Sequence, residues 1–128
     1  MNLPNVAVVI TNYNYGEFVL DAIDSALNQD YEGQMRVYVI DDGSSDGSYD
    51  KLLSYASESI SSITDPHEVN EPYYTGQMKL FQCSDMNLWC YHIENSGAST
   101  ARNVAIWEAW EWADVFAILD ADDLYHPS

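Results

Sequence analysis

A chain of 128 residues fits one domain, 1–128, long enough to bury a real core but short for an enzyme that needs two substrate pockets. Nearly half the residues are apolar and aromatics are plentiful, which excludes a disordered chain. Acidic residues outnumber basic ones 21 to 4, so the summed field repels polyanions: nucleic acid is excluded as a partner, and a diphosphate binds only where a divalent cation or a local cluster of donors neutralises it.

In chain order, Val6 to Ile10 is an apolar run rich in β-branched residues, as expected of a strand buried on both faces of a parallel sheet. Thr11 to Gly16 breaks it. From Glu17 the residues Phe18, Ala22, Ile23, Ala26 and Leu27 recur at helical spacing, predicting a helix that stops near Asn28. Val37 to Ile40 repeats the strand pattern, the turn-rich Asp41 to Gly47 follows, and Tyr49, Leu52, Leu53 and Ala56 mark one face of a second helix. Residues 57–87 read as a variable insertion in which Met78 to Cys83 can form an extra strand. Leu88 to Ile93 is the next strand, with Glu94 to Gly97 as its exit. A helix starting near Ser99 or Thr100 places Ala101, Ala105, Ile106, Ala109, Trp112 and Ala113 on one half of its circumference. Trp107 falls on the polar side, where nothing in the pattern explains it; Trp107, Trp110 and Trp112 are expected in packing or subunit contacts. Val115 to Leu119 is a last buried strand, ending in Asp120-Ala121-Asp122-Asp123. Repeated strand–helix units with right-handed crossovers give an α/β fold: a doubly wound, mostly parallel sheet with helices on both faces.

Cys83 and Cys90 are too few for a disulfide framework, which points to a reducing, cytoplasmic setting. The longest apolar run is far too short for a bilayer, so no membrane insertion is expected. Cys83, Cys90 and His92 do not make a zinc site, because no fourth ligand accompanies them.

Ligands of open α/β sheets lie outside the carboxyl ends of the strands, and three strands end in polar clusters: Thr11 to Asn14, Asp41 to Ser44, and Asp120 to Asp123. These are expected to meet at one crevice. Asp120 and Asp122 offer hard oxygen ligands at alternate positions, a spacing suited to Mg²⁺ or Mn²⁺, and such a cation would also offset the repulsion of a diphosphate. The bland alternatives are a solvated acidic loop for Asp120 to Asp123 and turn chemistry for Asp41 to Ser44. Arg102, in the first turn of its helix, either grips phosphate or pairs with a carboxylate. Tyr13 is either a ligand contact or a loop anchor.

The ordered segments Val-Val-Ile-Thr-Asn-Tyr-Asn, Val-Ile-Asp-Asp-Gly-Ser-Ser-Asp-Gly, Glu-Asn-Ser-Gly-Ala-Ser-Thr-Ala-Arg-Asn and Leu-Asp-Ala-Asp-Asp together resemble family 2 glycosyltransferases of the GT-A, Rossmann-like three-layer fold. The resemblance implies that Thr11 and Tyr13 contact the nucleobase, Tyr13 by stacking, and that Asp42 accepts a hydrogen bond from the base imide. It further implies that Asp41 either supports the ribose or holds the loop, that Arg102 lies near the diphosphate and Asp120 near ribose or donor sugar, and that Asp122 ligates the metal. The donor is then a nucleoside diphosphate sugar, with uridine favoured, and the transfer to an acceptor hydroxyl is inverting.

Inversion needs a general base, which relatives take from the second half of the domain. No residue here matches it, so no catalytic residue is identified; the base is expected beyond Ser128, and the sequence reads as the truncated donor-binding half. The alternatives are a non-catalytic nucleotide-sugar-binding module and a nucleotidyltransferase-like domain. The latter is disfavoured because Thr11 to Gly16 carries neither Lys nor Arg and the chain has no Gly-x-Gly-x-x-Gly.

Overall fold

The computed structural model describes residues 3–58, 66–74, 76–83 and 87–120. Its elements run β1 (Val6–Asn12), α1 (Val19–Leu27), β2 (Met35–Asp42), α2 (Ser48–Glu58), β3 (His67–Glu68), β4 (Met78–Cys83), β5 (Leu88–Ile93), α3 (Ala98–Ala109) and β6 (Val115–Asp120). They build one six-stranded sheet in the order β3-β4-β5-β2-β1-β6. Strands β5, β2, β1 and β6 are mutually parallel, while β4 and β3 add an antiparallel edge. The sequence steps from β1 outward to β2 and β5, then returns to the other side of β1 as β6. That reversal of strand order opens a crevice at the carboxyl ends of β1 and its neighbours.

Alternation along the strands sorts the core into two layers. Val8 and Ile10 of β1, with Val37 and Val39 of β2, face α1 and α2 and pack on Val19, Ile23, Ala26 and Leu52. Ala7 and Val9, with Tyr38 and Ile40, face the other way and pack on Ala101, Val104, Ala105 and Ala109 of α3. The central strands are buried on both faces, which is why they read as unbroken apolar runs. The stripe of α3 differs from the expected one. The helix ends at Ala109, so Trp112 and Ala113 lie beyond it, and Val104, at i+3 from Ala101, takes the buried place assigned to the half-buried Ile106.

Several elements begin or end elsewhere than the sequence pattern suggests. Helix α1 starts at Val19 with Phe18 as its N-cap, and the turn before it leads straight in, Tyr15 O accepting from the N–H groups of both Phe18 and Val19. The stretch 57–87 supplies β3 and β4, and β4 covers the edge of β5 over the predicted Met78–Cys83. Trp107 finds its role here: it is 56% exposed, but its ring stacks on Tyr73 at 5.7 Å, and Trp110 and Phe116 continue the row at 6.0 and 6.4 Å. Among the described residues no helix is long and apolar enough to cross a membrane.

Candidate functional site

β1 and β2 run past the apolar core into polar residues. Thr11, Asn12, Asp41 and Asp42, which look like loop residues in sequence, are the last strand residues and are all buried. Ladder hydrogen bonds therefore fix their backbones, and the loops that follow are tied to one another by side chains. Asn14 N donates to Ser44 Oγ at 2.9 Å, Ser45 N donates to Asn14 Oδ1 at 2.8 Å, and Gly16 N donates to Asp46 Oδ2 at 2.9 Å. Asp46 also accepts from Ser48; that hydroxyl is the main cause holding its carboxyl below the usual range, with the Gly16 and Ser48 amides adding to it, against an opposing effect of burial that outweighs either amide alone. Because folding depresses this carboxyl, its contribution to stability is complete above the unfolded carboxylate range and is lost as pH falls through the lower folded value.

Asp42 performs the same stitching toward the loop after β5. Ser96 N donates to its Oδ1 at 2.8 Å, Gly97 N to its Oδ2 at 3.0 Å, and Asn95 Nδ2 reaches its carbonyl at 3.0 Å. Asn95 Nδ2 also reaches Asp42 Oδ2 at 3.4 Å, so three of the roughly four lone-pair positions of this cleft-lining carboxylate are taken and about one is left. Gly97 has φ 97° and ψ 155°, a region open essentially to glycine alone, and it starts α3 without any side-chain cap. The first amides of α3 thus have no side-chain cap, and the positive end of the helix dipole lies behind them. A Gly97→Ala variant is expected to lose about 1–3 kcal/mol and to melt several degrees below the parent; a thermal unfolding curve that overlays the parent's would show that the backbone is not held there.

Together these elements enclose a cleft of about 360 Å³ lined by Thr11, Asn12, Tyr13, Tyr15, Asp42, Asn95, Gly97, Ala98 and Arg102. Tyr13 and Tyr15 are 48% and 43% exposed, two rings standing at its mouth. Arg102 is half-buried; among the described residues it forms no ion pair, and its Nε is buried without a hydrogen-bond partner. The cleft thus combines aromatic faces, a buried carboxylate, free helix amides and a guanidinium with unspent donors.

Of the residues singled out from sequence, Thr11, Tyr13, Asp42 and Arg102 come together on this cleft. Asp41 does not line it. That carboxylate is fully buried and accepts from Asn12 Nδ2 at 2.9 Å and Ser44 Oγ at 2.6 Å, with His92 Nδ1 at 2.7 Å, so it holds the loop. Asp120 closes β6 in register with Thr11, beside the cleft. Asp122, the expected metal ligand, lies outside the described residues. Sequence reasoning passed over Asn12, Tyr15, Asn95, Gly97 and Ala98. Asn95 and Gly97 were visible as the exit of β5, but their partner Asp42 lies more than 50 residues away and only the β2–β5 register brings them together.

A mostly parallel sheet with helices on both faces, a strand-order reversal and a cleft at that reversal define a Rossmann-like α/β domain of the GT-A type. The chain belongs to the family described as Glycosyl transferase family 2, whose sequence profile matches residues 7–85. An uncharacterized glycosyltransferase of Nostoc sp. (strain PCC 7120) is 28% identical over 122 residues, 95% of this chain and 29% of that protein. An N-acetylglucosaminyltransferase of Rhizobium sp. (strain N33) is 55% identical over 42 residues, 32% of this chain and 9% of that one. Among solved structures, a mannosyltransferase from Pyrobaculum calidifontis in complex with GDP-Man and Mn²⁺ superposes with a TM-score of 0.68 at 22% identity, over 97% of this chain and 31% of that one. S. aureus TarS 1–349 in complex with UDP-GlcNAc gives 0.61 at 21%, over 94% and 27%. The chain spans less than a third of the length of each of these proteins.

Proposed function

We propose that the cleft binds a nucleoside diphosphate sugar and that the domain presents it for transfer to an acceptor hydroxyl, with inversion at the anomeric carbon. The observation that carries this reading is the pairing of two unlike halves in one cleft. Thr11, Tyr13 and Asp42 offer an aromatic face and acceptors to a base, while the uncapped start of α3 and Arg102 offer donors to a diphosphate. Proteins of similar fold have been solved with GDP-Man, with UDP and with UDP-GlcNAc, which supports a nucleotide ligand. Uridine is favoured through the motif resemblance.

In this reading Tyr13 stacks on the base, Thr11 and the spare acceptor of Asp42 read its edge, and Asp41 keeps the intervening loop in place. Arg102 and the α3 amides hold the diphosphate in a fixed orientation, so that the bond to the sugar faces the acceptor side. The donor set suits a hard cation: β6 ends at Asp120 in register with the cleft-lining Thr11, and Asp122 follows on a two-residue tether of at most ~7 Å. Asp122, with Asp120, would hold Mg²⁺ or Mn²⁺, which supplies Lewis-acid stabilisation of the departing diphosphate when bound.

Calorimetric titration with UDP, GDP and ADP, with and without Mn²⁺, tests the assignment. Binding of UDP is expected only with the metal and is expected to vanish in Asp122→Ala. A well-folded chain that binds no nucleotide, or binds one equally well without metal, would contradict the reading.

A further inference from the structure

The outer side of α3 carries an aromatic row that the core does not absorb. Trp107 and Trp110 are 56% and 60% exposed, the two most open large apolar side chains among the described residues. Tyr73 reaches them from the stretch before β4, stacked on Trp107 at 5.7 Å with 17° between the rings, and Trp110 tilts against Trp107 at 6.0 Å. Ring contacts hold the indoles in place and still leave more than half of each residue open. A contiguous apolar patch of this kind marks an interaction surface, and Trp and Tyr are the residues that carry most of the energy in such surfaces.

The groups set beside the row are acidic. The Tyr73 hydroxyl donates to Glu108, Glu71 shares a hydrogen bond with the same Glu108 carboxylate, and Glu111 stands exposed in the turn that follows Trp110. Burial first, and then the Glu108 carboxylate, push the Glu71 carboxyl up, as expected of two acids held together without a cation. The chain cannot supply that cation, because it has only four basic residues and each is engaged elsewhere. Lys51 belongs to α2, and Lys79 lines a pocket with Tyr49 and His92, both on the opposite face of the sheet. Arg102 lines the cleft. Arg36 lies between Trp89 and Trp112, its guanidinium carbon 4.7 and 4.2 Å from the two ring centres. That sandwich shows indoles of this molecule already taking a guanidinium.

The charge that complements the row therefore comes from outside the chain. A second copy is a poor source, since it brings a further formal charge of −17. We propose that Tyr73, Trp107 and Trp110 form a docking surface for an arginine-bearing segment of a partner protein, its guanidinium groups lying on the open indole faces and pairing with Glu108 and Glu111. Arginine suits the surface better than lysine: its planar, weakly hydrated head stacks on a ring and still directs donors at a carboxylate. None of the three rings lines the cleft, so this docking does not depend on what the cleft binds.

The test is calorimetry on the 128-residue chain with a short peptide of alternating Arg and Gly, and with its Lys counterpart of equal length. Both are expected to bind more weakly as salt is raised, with the Arg peptide roughly fivefold tighter than the Lys peptide. Replacing both indoles, Trp107→Ala with Trp110→Ala, is expected to bring the two affinities within about twofold of each other. Glu111→Lys is expected to weaken the Arg peptide roughly threefold or more, whereas Asp50→Lys, an equal charge change at an exposed position of α2, is expected to change it less than about twofold. Should the double indole variant fail to fold, the comparison of Glu111→Lys with Asp50→Lys decides. A parent chain that takes the two peptides equally well, or a preference for Arg that survives loss of the indoles, would mean only a diffuse acidic field and overturns the proposal. So does a Glu111→Lys chain no more impaired than Asp50→Lys. Sedimentation velocity of the free chain addresses the other occupant: a dimer that dissociates when Trp107 and Trp110 are replaced would assign the row to a second copy, and the proposal falls.

Discussion

Gly43→Ala is expected to cost about 3 kcal/mol or more, a large share of the roughly 5–15 kcal/mol that holds a domain of this kind together. Two effects act at once. Gly43 has φ 69°, where a side chain is strained, and a Cβ placed on it would lie 2.4 Å from the backbone nitrogen of Asn95 and 2.9 Å from its Cα. Neither neighbour is a flexible side-chain tip that can swing away; the loop after β5 has to move as a whole. That loop is also the one Asp42 holds through Ser96 N and Gly97 N, so the strain reaches the start of α3. Urea titration followed by circular dichroism measures the loss. A midpoint equal to the parent's would mean that the two loops do not approach each other so closely.

Arg102→Met should separate binding from stability, because the two are expected to change in opposite directions. Methionine keeps the apolar stem but removes the guanidinium, whose charge-assisted bonds to a diphosphate contribute about 1.5–3 kcal/mol, so affinity for the nucleoside diphosphate is expected to fall roughly 10- to 100-fold. In the unliganded chain the same change removes a buried Nε that has no partner, so the melting temperature is expected to hold or rise. A residue present only to pair with a neighbouring carboxylate would lose stability instead. An Arg102→Met chain that melts lower and binds normally would therefore remove Arg102 from the proposed ligand contacts.

Much of the architecture was legible because its signal is local. The unbroken apolar runs of β1 and β2 identify strands covered on both faces, and the spacing of Ala22, Ile23 and Ala26 identifies a helix with one buried stripe. Loops at the carboxyl ends of parallel strands then point to a common crevice, and Thr11, Tyr13, Asp42 and Arg102 do share one. What was not legible depends on register and on partners distant in sequence. Asn12 looks like one more polar loop residue until the pairing with Asp41 makes it the end of a strand. His92 was considered only as a companion of two cysteines, whereas its contact is a carboxylate 51 residues earlier. Trp107 defied the helical pattern because Tyr73, on which it stacks, comes from the stretch whose sequence was least readable.

The pairing of β6 with β1 has a consequence for how the molecule is made. Val6 lies against Val115 and Thr11 against Asp120, and Asn5 adds a clasp of its own, its N–H reaching Asp114 at 2.8 Å and its side chain the Trp112 carbonyl at 3.0 Å. β1 therefore keeps one edge bare until nearly the last described residue has been synthesised. An apolar ribbon waiting that long for its neighbour is open to mispairing with other nascent chains, so the hazardous interval for this protein falls during translation, before the cleft has all of its walls.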